Sequence, residues 1–209
     1  MSKIALSGNA SGTGTFTVAS PNSNTDRTLT LPDNTGTLVT TASTLTRAQM
    51  PVGSVLQVVS VTKTDTFSTT STSYVDITGL SASITPSSSS SKILVVASIG
   101  GNTRNALGGA PILLRDSTII NQAASDGSRG RGSFSGGLHT GDGSGDTVMV
   151  FSVNTTCLDS PATTSSVTYK AQIKSFNGEA AFVNRSEENT DSGDRLRCVS
   201  TITLMEIAA

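Results

Sequence analysis

Short runs of alternating apolar and hydroxyl residues, separated by turn-forming residues, recur through most of the chain. From residue 54 onward they are spaced by roughly 10 to 15 residues, as in SVLQVVSVT, KILVVASI and TITLMEI. Ser and Thr make up roughly a third of the 209 residues, and few windows show helical periodicity. The pattern predicts about nine to eleven strands in residues 54–208, arranged as an all-β, jelly-roll-like sandwich.

Several segments of this domain carry more specific predictions. The run KILVVASI is apolar on both faces, with Leu94 and Val96 opposite the other apolar residues, which predicts a central strand covered on both sides. Val55, Val59 and Val61 are expected to share one face of their strand. Further predictions place a strand at TSYVDITGL, followed by SASITP, a strand at GSFSGGLHT, a hairpin turn at residues 115–117, and a second hairpin at Asn177-Gly178.

The chain before this domain has a weaker pattern. Residues 1–40 are predicted to form short strands with few large apolar residues. Residues 41–53 are expected to be a linker in which TLTRAQM makes one or two helical turns before Pro51. The predicted organisation is an N-terminal β segment at 1–40, a linker at 41–53 and a head domain at 54–209.

Charge and composition exclude several function classes. The net charge is -1 and the basic residues are scattered, which argues against nucleic-acid binding. No apolar run is long enough to insert into a membrane, and the N-terminus lacks the features of a secretory signal, so synthesis in a cytosol is expected. Two cysteines are expected to be reduced, Cys157 in a loop and Cys198 at the start of the last strand, although the sequence leaves a disulfide open.

The candidate sites lie in one polar region. A long Gly/Ser segment carries Arg129, Arg131, Phe134 and His139, and it is either a recognition loop or a mobile connection between strong strands. In GDGSGD, Asp142 and Asp146 form a weak calcium candidate, with a plain loop tip as the alternative. No nucleophile, acid pair or cofactor fingerprint is evident, so the chain is expected to be neither an enzyme nor a cofactor-binding protein.

The segment GTGTFTVASPNSNTDRTLTLPDNTGTLVT, residues 12–40, carries the most specific motif. It resembles the repeat-like N-terminal segments of tail fibres and other virion proteins of tailed bacteriophages. Residues 53–101 and the ending LRCVSTITLMEI are similar to the globular heads attached to such fibres. The long shaft that many such fibres have between these two parts is missing here.

The resemblance implies a homotrimer, and the weak N-terminal core is compatible with this. A lone hairpin with one thin apolar face is marginal in water, whereas three copies around an axis can bury their leucines against one another. The expected trimer and attachment core consists of Phe16, Val18, Leu29, Leu31 and Leu38.

The expected function is that of a short virion fibre. Its N-terminal segment attaches to other proteins of the tail or capsid, and its head contacts a host-surface glycan or protein. The alternative is a capsid decoration, cement or head-fibre protein that stabilises the shell. In both cases the expected location is the virion, after synthesis in the cytoplasm of the bacterial host.

Overall fold

The computed structural model describes residues 11–15, 17, 19, 22–26, 28, 45–102, 109–128, 130–135, 150–175 and 178–209. Contacts divide the chain into two units, Met1–Thr41 and Ala42–Ala209, and the architecture below is that of the second unit. The predicted trimer core residues, Phe16, Val18, Leu29, Leu31 and Leu38, lie outside the described residues.

The second unit is an all-β structure with two antiparallel sheets, which confirms the predicted fold class. A single 3-10 turn at Arg47–Gln49 precedes the sheets, as predicted for the segment before Pro51. The described residues form ten strands: β1 Val55–Lys63, β2 Phe67–Thr69, β3 Val75–Ile84, β4 Lys92–Asn102, β5 Gly109–Arg115, β6 Thr118–Ile120, β7 Val150–Asp159, β8 Val167–Lys174, β9 Ala181–Val183 and β10 Ser200–Ile207.

The strands pair in a nested order. β1 pairs with β10, β2 with β9, β3 with β8, β4 with β7, and β5 with β6, so each strand lies beside its counterpart from the other end of the domain. The tip of this folded ribbon is the predicted hairpin turn, where Asp116 has a φ of 52°. Further pairings of β10 with β4 and of β8 with β5 roll the ribbon into two sheets.

The roll gives sheet A, with the order β1-β10-β4-β7, and sheet B, with the order β3-β8-β5-β6. The short β2–β9 pair extends sheet A beside β4. The eight strands of sheets A and B thereby follow the jelly-roll arrangement.

The core lies between the two sheets and follows the alternation of the strands. β8 and β10 each alternate strictly between buried and half-buried residues, as half-covered strands do. The fully buried side chains include Ile93, Val95, Ile99, Leu113, Tyr169, Ile173, Ile202 and Leu204.

Two predictions about side-chain faces were wrong. β4 is covered on one face only, because Val96 on its other face is 39 % exposed and Leu94 is half-buried. In β1 a register shift between Val55 and Gln57 moves Val55 to the outer face, where it is 48 % exposed, whereas Val59 and Val61 pack on the core.

Three predictions about local structure also need correction. TSYVDITGL and SASITP form the single strand β3, with an irregular register around Gly79. Cys157 lies in β7 rather than in a loop. The hairpin predicted at Asn177-Gly178 is wrong, because the flanking strands do not pair: β8 belongs to sheet B and β9 to sheet A, and Asn177 itself lies outside the described residues. Of the predicted strand GSFSGGLHT, the described part makes one bridge, from Ser135 to Asn154.

Candidate functional site

An open cleft lies beside β7, next to the end of β6. Its volume is about 610 Å³, within the range of small-ligand sites. The described residues that line it come from three segments: Asn121, Gln122 and Ala123 after β6, Gly132, Ser133, Phe134 and Ser135 before β7, and Asn154, Thr155 and Thr156 on β7.

Backbone hydrogen bonds hold these three segments together. Ser135 and Asn154 exchange two backbone hydrogen bonds of 2.8 Å, so the segment before β7 lies along the edge of sheet A. On its other side, the backbone N–H of Ala123 donates to the carbonyl of Gly132 at 3.2 Å. The segment therefore bridges the edges of the two sheets, and this bridge forms the wall of the cleft.

Side chains complete the bridge. The Asn121 amide donates to Oγ1 of Thr155 at 2.9 Å, which joins the end of β6 to β7. The buried Ser133 hydroxyl donates to the carbonyl of Ile120 at 2.8 Å. Asn121 has a φ of 49°, a conformation that Asn tolerates better than most residues. These contacts position the wall and leave the side chain of Thr156 exposed in the cleft.

The chemistry of the lining is uncharged and polar. None of the ten described residues that line the cleft carries a charge. The exposed side chains on the β7 side, Ser135, Asn154 and Thr156, are hydroxyls and an amide. Phe134 adds one half-buried aromatic ring that packs against the core. Such a set of groups favours a neutral ligand with many hydroxyl or amide groups over a phosphate or a metal ion.

The structure describes only part of the predicted recognition loop. Phe134 lines the cleft, whereas Arg131 is exposed and its Nε donates to the carbonyl of Ala123 at 2.6 Å. Arg129 and His139 lie outside the described residues, as do the calcium candidates Asp142 and Asp146. Within the described part of the chain, no group of three or more His, Cys, Asp or Glu residues is placed to hold a metal ion.

Glu206 is a buried carboxylate, and it is not among the candidate residues predicted from the sequence. Its Oε1 accepts hydrogen bonds from the backbone N–H and hydroxyl of Ser87, both at 2.6 Å, and from the hydroxyl of Ser91 at 2.8 Å. Its Oε2 accepts a hydrogen bond from Gln57 at 2.6 Å. Burial alone raises the pKa of this carboxyl, but the hydrogen bonds from Ser87, Ser91 and Gln57 outweigh burial and hold the pKa below its usual value. Glu206 therefore ties the β3–β4 turn to β10.

Asn184 connects four backbone segments just after β9. Its backbone N–H donates to the carbonyl of Gly100 at 2.9 Å, and its side-chain amide donates to the carbonyl of Lys63 at 2.8 Å. Its Oδ1 accepts a hydrogen bond of 2.6 Å from Ser200. Asn184 is fully buried with a φ of 62°, so its role is structural.

Arg115, Asp159 and Tyr169 link the two sheets. Arg115 donates to both carboxylate oxygens of Asp159, at 2.9 and 2.7 Å, and the Tyr169 hydroxyl donates to Asp159 at 2.7 Å. Burial and the bond to Asp159 raise the pKa of Tyr169, so this residue stays a hydrogen-bond donor. Since Asp159 lies in sheet A and its partners lie in sheet B, the trio holds the sheets together at one end.

Both cysteines are free thiols, as predicted. Burial raises the pKa of Cys157, with a further contribution from Asp159, and burial also raises the pKa of Cys198. A raised thiol pKa lowers the thiolate fraction, so neither residue has the features of an activated nucleophile.

The comparisons with known proteins assign the chain to no family. No protein-family model matches it, and no curated protein is significantly similar to it. Among the residues described, no helix is both long and apolar enough to cross a membrane.

Proposed function

We propose that this chain is a non-enzymatic structural protein of a tailed-bacteriophage virion. In this proposal it is a short homotrimeric fibre whose N-terminal segment attaches to the particle and whose jelly-roll head contacts the host surface. The observation that carries the recognition role is the uncharged polar cleft beside β7, which includes Phe134 from the predicted recognition loop. The attachment role rests on the resemblance of residues 12–40 to virion segments.

The cleft favours a neutral saccharide as the host-surface ligand. Amide and hydroxyl groups both donate and accept hydrogen bonds, which matches the hydroxyl groups of a sugar. The half-buried Phe134 ring adds an apolar group against which the C–H groups of a sugar ring can pack. A charged ligand would have no counter-charge among the described lining residues.

A capsid decoration protein is the second candidate. Of the aromatic side chains that the structure describes, none is exposed. Exposed aromatic residues are common in recognition surfaces, so their absence from the described surface favours a purely structural role.

The location on the particle separates the two candidates. Gold-labelled antibodies against the protein are expected to mark the tail of the phage that encodes it, when particles are viewed by electron microscopy. Labelling over the capsid would support the decoration role, and particles without label would overturn the virion assignment.

The recognition role is tested with the full chain on an array of neutral bacterial saccharides. Thr156→Lys places a long cation in the cleft and is expected to reduce binding at least tenfold. Thr78→Lys is the matched control, because Thr78 is exposed on β3 of the other sheet. Equal binding by both variants would exclude the cleft as the site.

A further inference from the structure

The cleft beside β7 opens where a short stretch of backbone pairing stops. Ser135 and Asn154 exchange two backbone hydrogen bonds of 2.8 Å. If this antiparallel pairing continued, Ser133 would lie opposite Thr156. Instead the N–H of Ser133 donates to the carbonyl of Pro111, in sheet B, at 2.9 Å. The pairing therefore ends after one pair of residues, and Thr156 lines the cleft beyond that point.

The backbone N–H and carbonyl of Thr156 point away from β4, to the side on which the cleft lies. β7 pairs with β4 in an unbroken antiparallel register from Val150 to Asp159. Along such a strand, successive residues direct their N–H and C=O groups alternately to one side and to the other. Asn154 directs both groups away from β4, because it bonds to Ser135. Thr156, two residues further on, directs its groups the same way.

No partner for these two groups lies in the described part of the chain. Among the described elements, β7 pairs with no strand besides β4, and the one backbone bridge at its other edge is that of Asn154. Thr156 is exposed. An accessible N–H and C=O at the edge of a sheet are ready to form hydrogen bonds with another molecule.

The two groups place one donor beside one acceptor. A backbone N–H only donates, and a carbonyl only accepts. Standard backbone dimensions put the N and O atoms of one extended residue roughly 3 Å apart, which is about the separation of the oxygens in two adjacent equatorial hydroxyl groups of a sugar ring. One of these hydroxyls can accept from the N–H while the other donates to the carbonyl. A single isolated hydroxyl reaches both groups only at unfavourable angles.

We infer that the backbone N–H and C=O of Thr156 anchor the saccharide, and that the saccharide presents two adjacent free ring hydroxyl groups to them. This inference rests on the proposed recognition role of the cleft and narrows its ligand class. The half-buried Phe134 ring and the exposed side chain of Asn154 line the same cleft. A glycan whose linkages leave no adjacent pair of ring hydroxyls is excluded as a ligand.

The rigidity of β7 favours its backbone over the side chains as the anchor. The strand is paired along its whole length with β4, so its N–H and C=O groups are already fixed before a saccharide arrives. An exposed side chain such as that of Asn154 or Thr156 must instead lose rotamer freedom when it binds. Hydrogen bonds to the backbone therefore carry a smaller entropic cost.

The first test separates the backbone of Thr156 from its side chain in the full chain. Thr156→Pro deletes the N–H, whereas Thr156→Ala deletes the hydroxyl and keeps the N–H. Leu158→Pro is the matched control, because Leu158 directs its N–H to the same edge but does not line the cleft. Proline is tolerated at edge positions whose N–H faces away from the sheet, so both proline variants are expected to fold, and circular dichroism checks this.

Binding is measured on the array of neutral bacterial saccharides. We expect Thr156→Pro to bind roughly tenfold more weakly than the wild type, because one hydrogen bond is lost and the ring of proline occupies its place. Thr156→Ala and Leu158→Pro should stay within roughly threefold of the wild type. Equal binding by Thr156→Pro and Thr156→Ala would overturn the inference.

Two β-linked glucans on the array test the ligand class with the wild type alone. Each internal glucose of pustulan keeps three adjacent ring hydroxyls, whereas the linkage in laminarin passes through the middle one and leaves no adjacent pair. We expect pustulan to bind several-fold more strongly than laminarin. Stronger binding of laminarin would contradict the required pair of hydroxyls.

Amide hydrogen exchange of the wild type, resolved by residue, tests the premise without a variant or a saccharide. Thr155 and Cys157 direct their N–H groups to β4 and should exchange slowly, whereas Thr156 should exchange much faster. Slow exchange at Thr156 would show that its N–H is already paired, and the inference would fall.

Failure of this inference is distinguishable from failure of the proposed function. Saccharide binding that Thr156→Lys abolishes and Thr156→Pro leaves intact would refute the backbone anchor and keep the cleft as a recognition site. A wild type that binds no saccharide on the array would refute the recognition role and the anchor together.

Discussion

Gly100 lies on β4 directly beside Cys198, and the space between the two residues is too small for a further carbon atom. A Cβ atom at position 100 would clash with the sulfur of Cys198, whereas its next neighbours, Cβ of Cys198 and the carbonyl oxygen of Val199, would be 3.4 and 3.5 Å away. We expect Gly100→Ala to lower the free energy of unfolding by about 1–3 kcal/mol, because a packed site must shift. Urea unfolding followed by circular dichroism measures this.

The double variant Gly100→Ala with Cys198→Ala serves as the control. Removal of the sulfur leaves only contacts of 3.4 Å and longer, so much of the lost stability should return. If the double variant loses as much unfolding free energy as the two single variants lose together, the sulfur is not the obstacle.

Glu206 makes the stability of the head depend on pH. Because the folded-state pKa is lowered, the carboxylate contributes stability above the unfolded value of about 4.3, and this contribution is lost as the pH falls through the folded pKa. In Glu206→Gln an NH2 group replaces one of the two carboxylate oxygens, and this group faces a hydrogen-bond donor that it cannot accept from. We expect the variant to lose about 1–3 kcal/mol of unfolding free energy at pH 7. Urea unfolding from pH 7 to pH 3 should show the two proteins converging in acid. A difference that is constant over this range would contradict the assignment.

At the scale of the strand, alternation indicated which residues share a face, but it predicted neither the irregular register that exposes Val55 nor which faces are covered. The period-2 pattern puts Ile202, Leu204 and Glu206 on one face of β10, and the structure buries all three, so this buried acid was detectable in the sequence. Apolar residues on both faces of β4 indicated two covers, yet a single chain shows only one. A local pattern could not predict the pairing partners, since β8 and β9, which flank the predicted second hairpin, belong to different sheets.

The cleft was predictable only in part for the same reason. Composition marked the segment that carries Phe134 as a polar recognition candidate. Its other walls come from residues after β6 and on β7, and only the roll of the ribbon brings these together. A site assembled from distant segments leaves no spacing signal in the sequence.

The link between the two sheets at Asp159 should respond unequally to changes in its members. Tyr169→Phe removes one hydrogen bond and leaves Arg115 paired, so we expect a cost of about 1 kcal/mol. Asp159→Ala removes the partner of both a cation and a buried hydroxyl, and we expect roughly 2–4 kcal/mol. Thermal and urea unfolding of both variants give the comparison, and equal costs would mean that Arg115 contributes nothing to the link.

At the scale of the molecule, the nested strand pairing places the start and the end of the head side by side. The backbone N–H of Gly53 donates to the carbonyl of Ala208 at 2.8 Å, and the N–H of Ala208 donates to the carbonyl of Ser54 at 2.9 Å. These two bonds extend the pairing of β1 with β10 to the end of the chain, and this pairing uses no described residue before position 53.

We therefore expect residues 42–209 to fold without the N-terminal unit. Every strand and every buried apolar residue that the structure describes lies within this range, so removal of residues 1–41 takes away none of that core. The fragment should show the circular dichroism of a β protein and one cooperative urea transition near the midpoint of the full chain. A fragment without a cooperative transition would show that the head depends on the first unit, and the division of the chain into a self-sufficient head and a separate attachment segment would have to be abandoned.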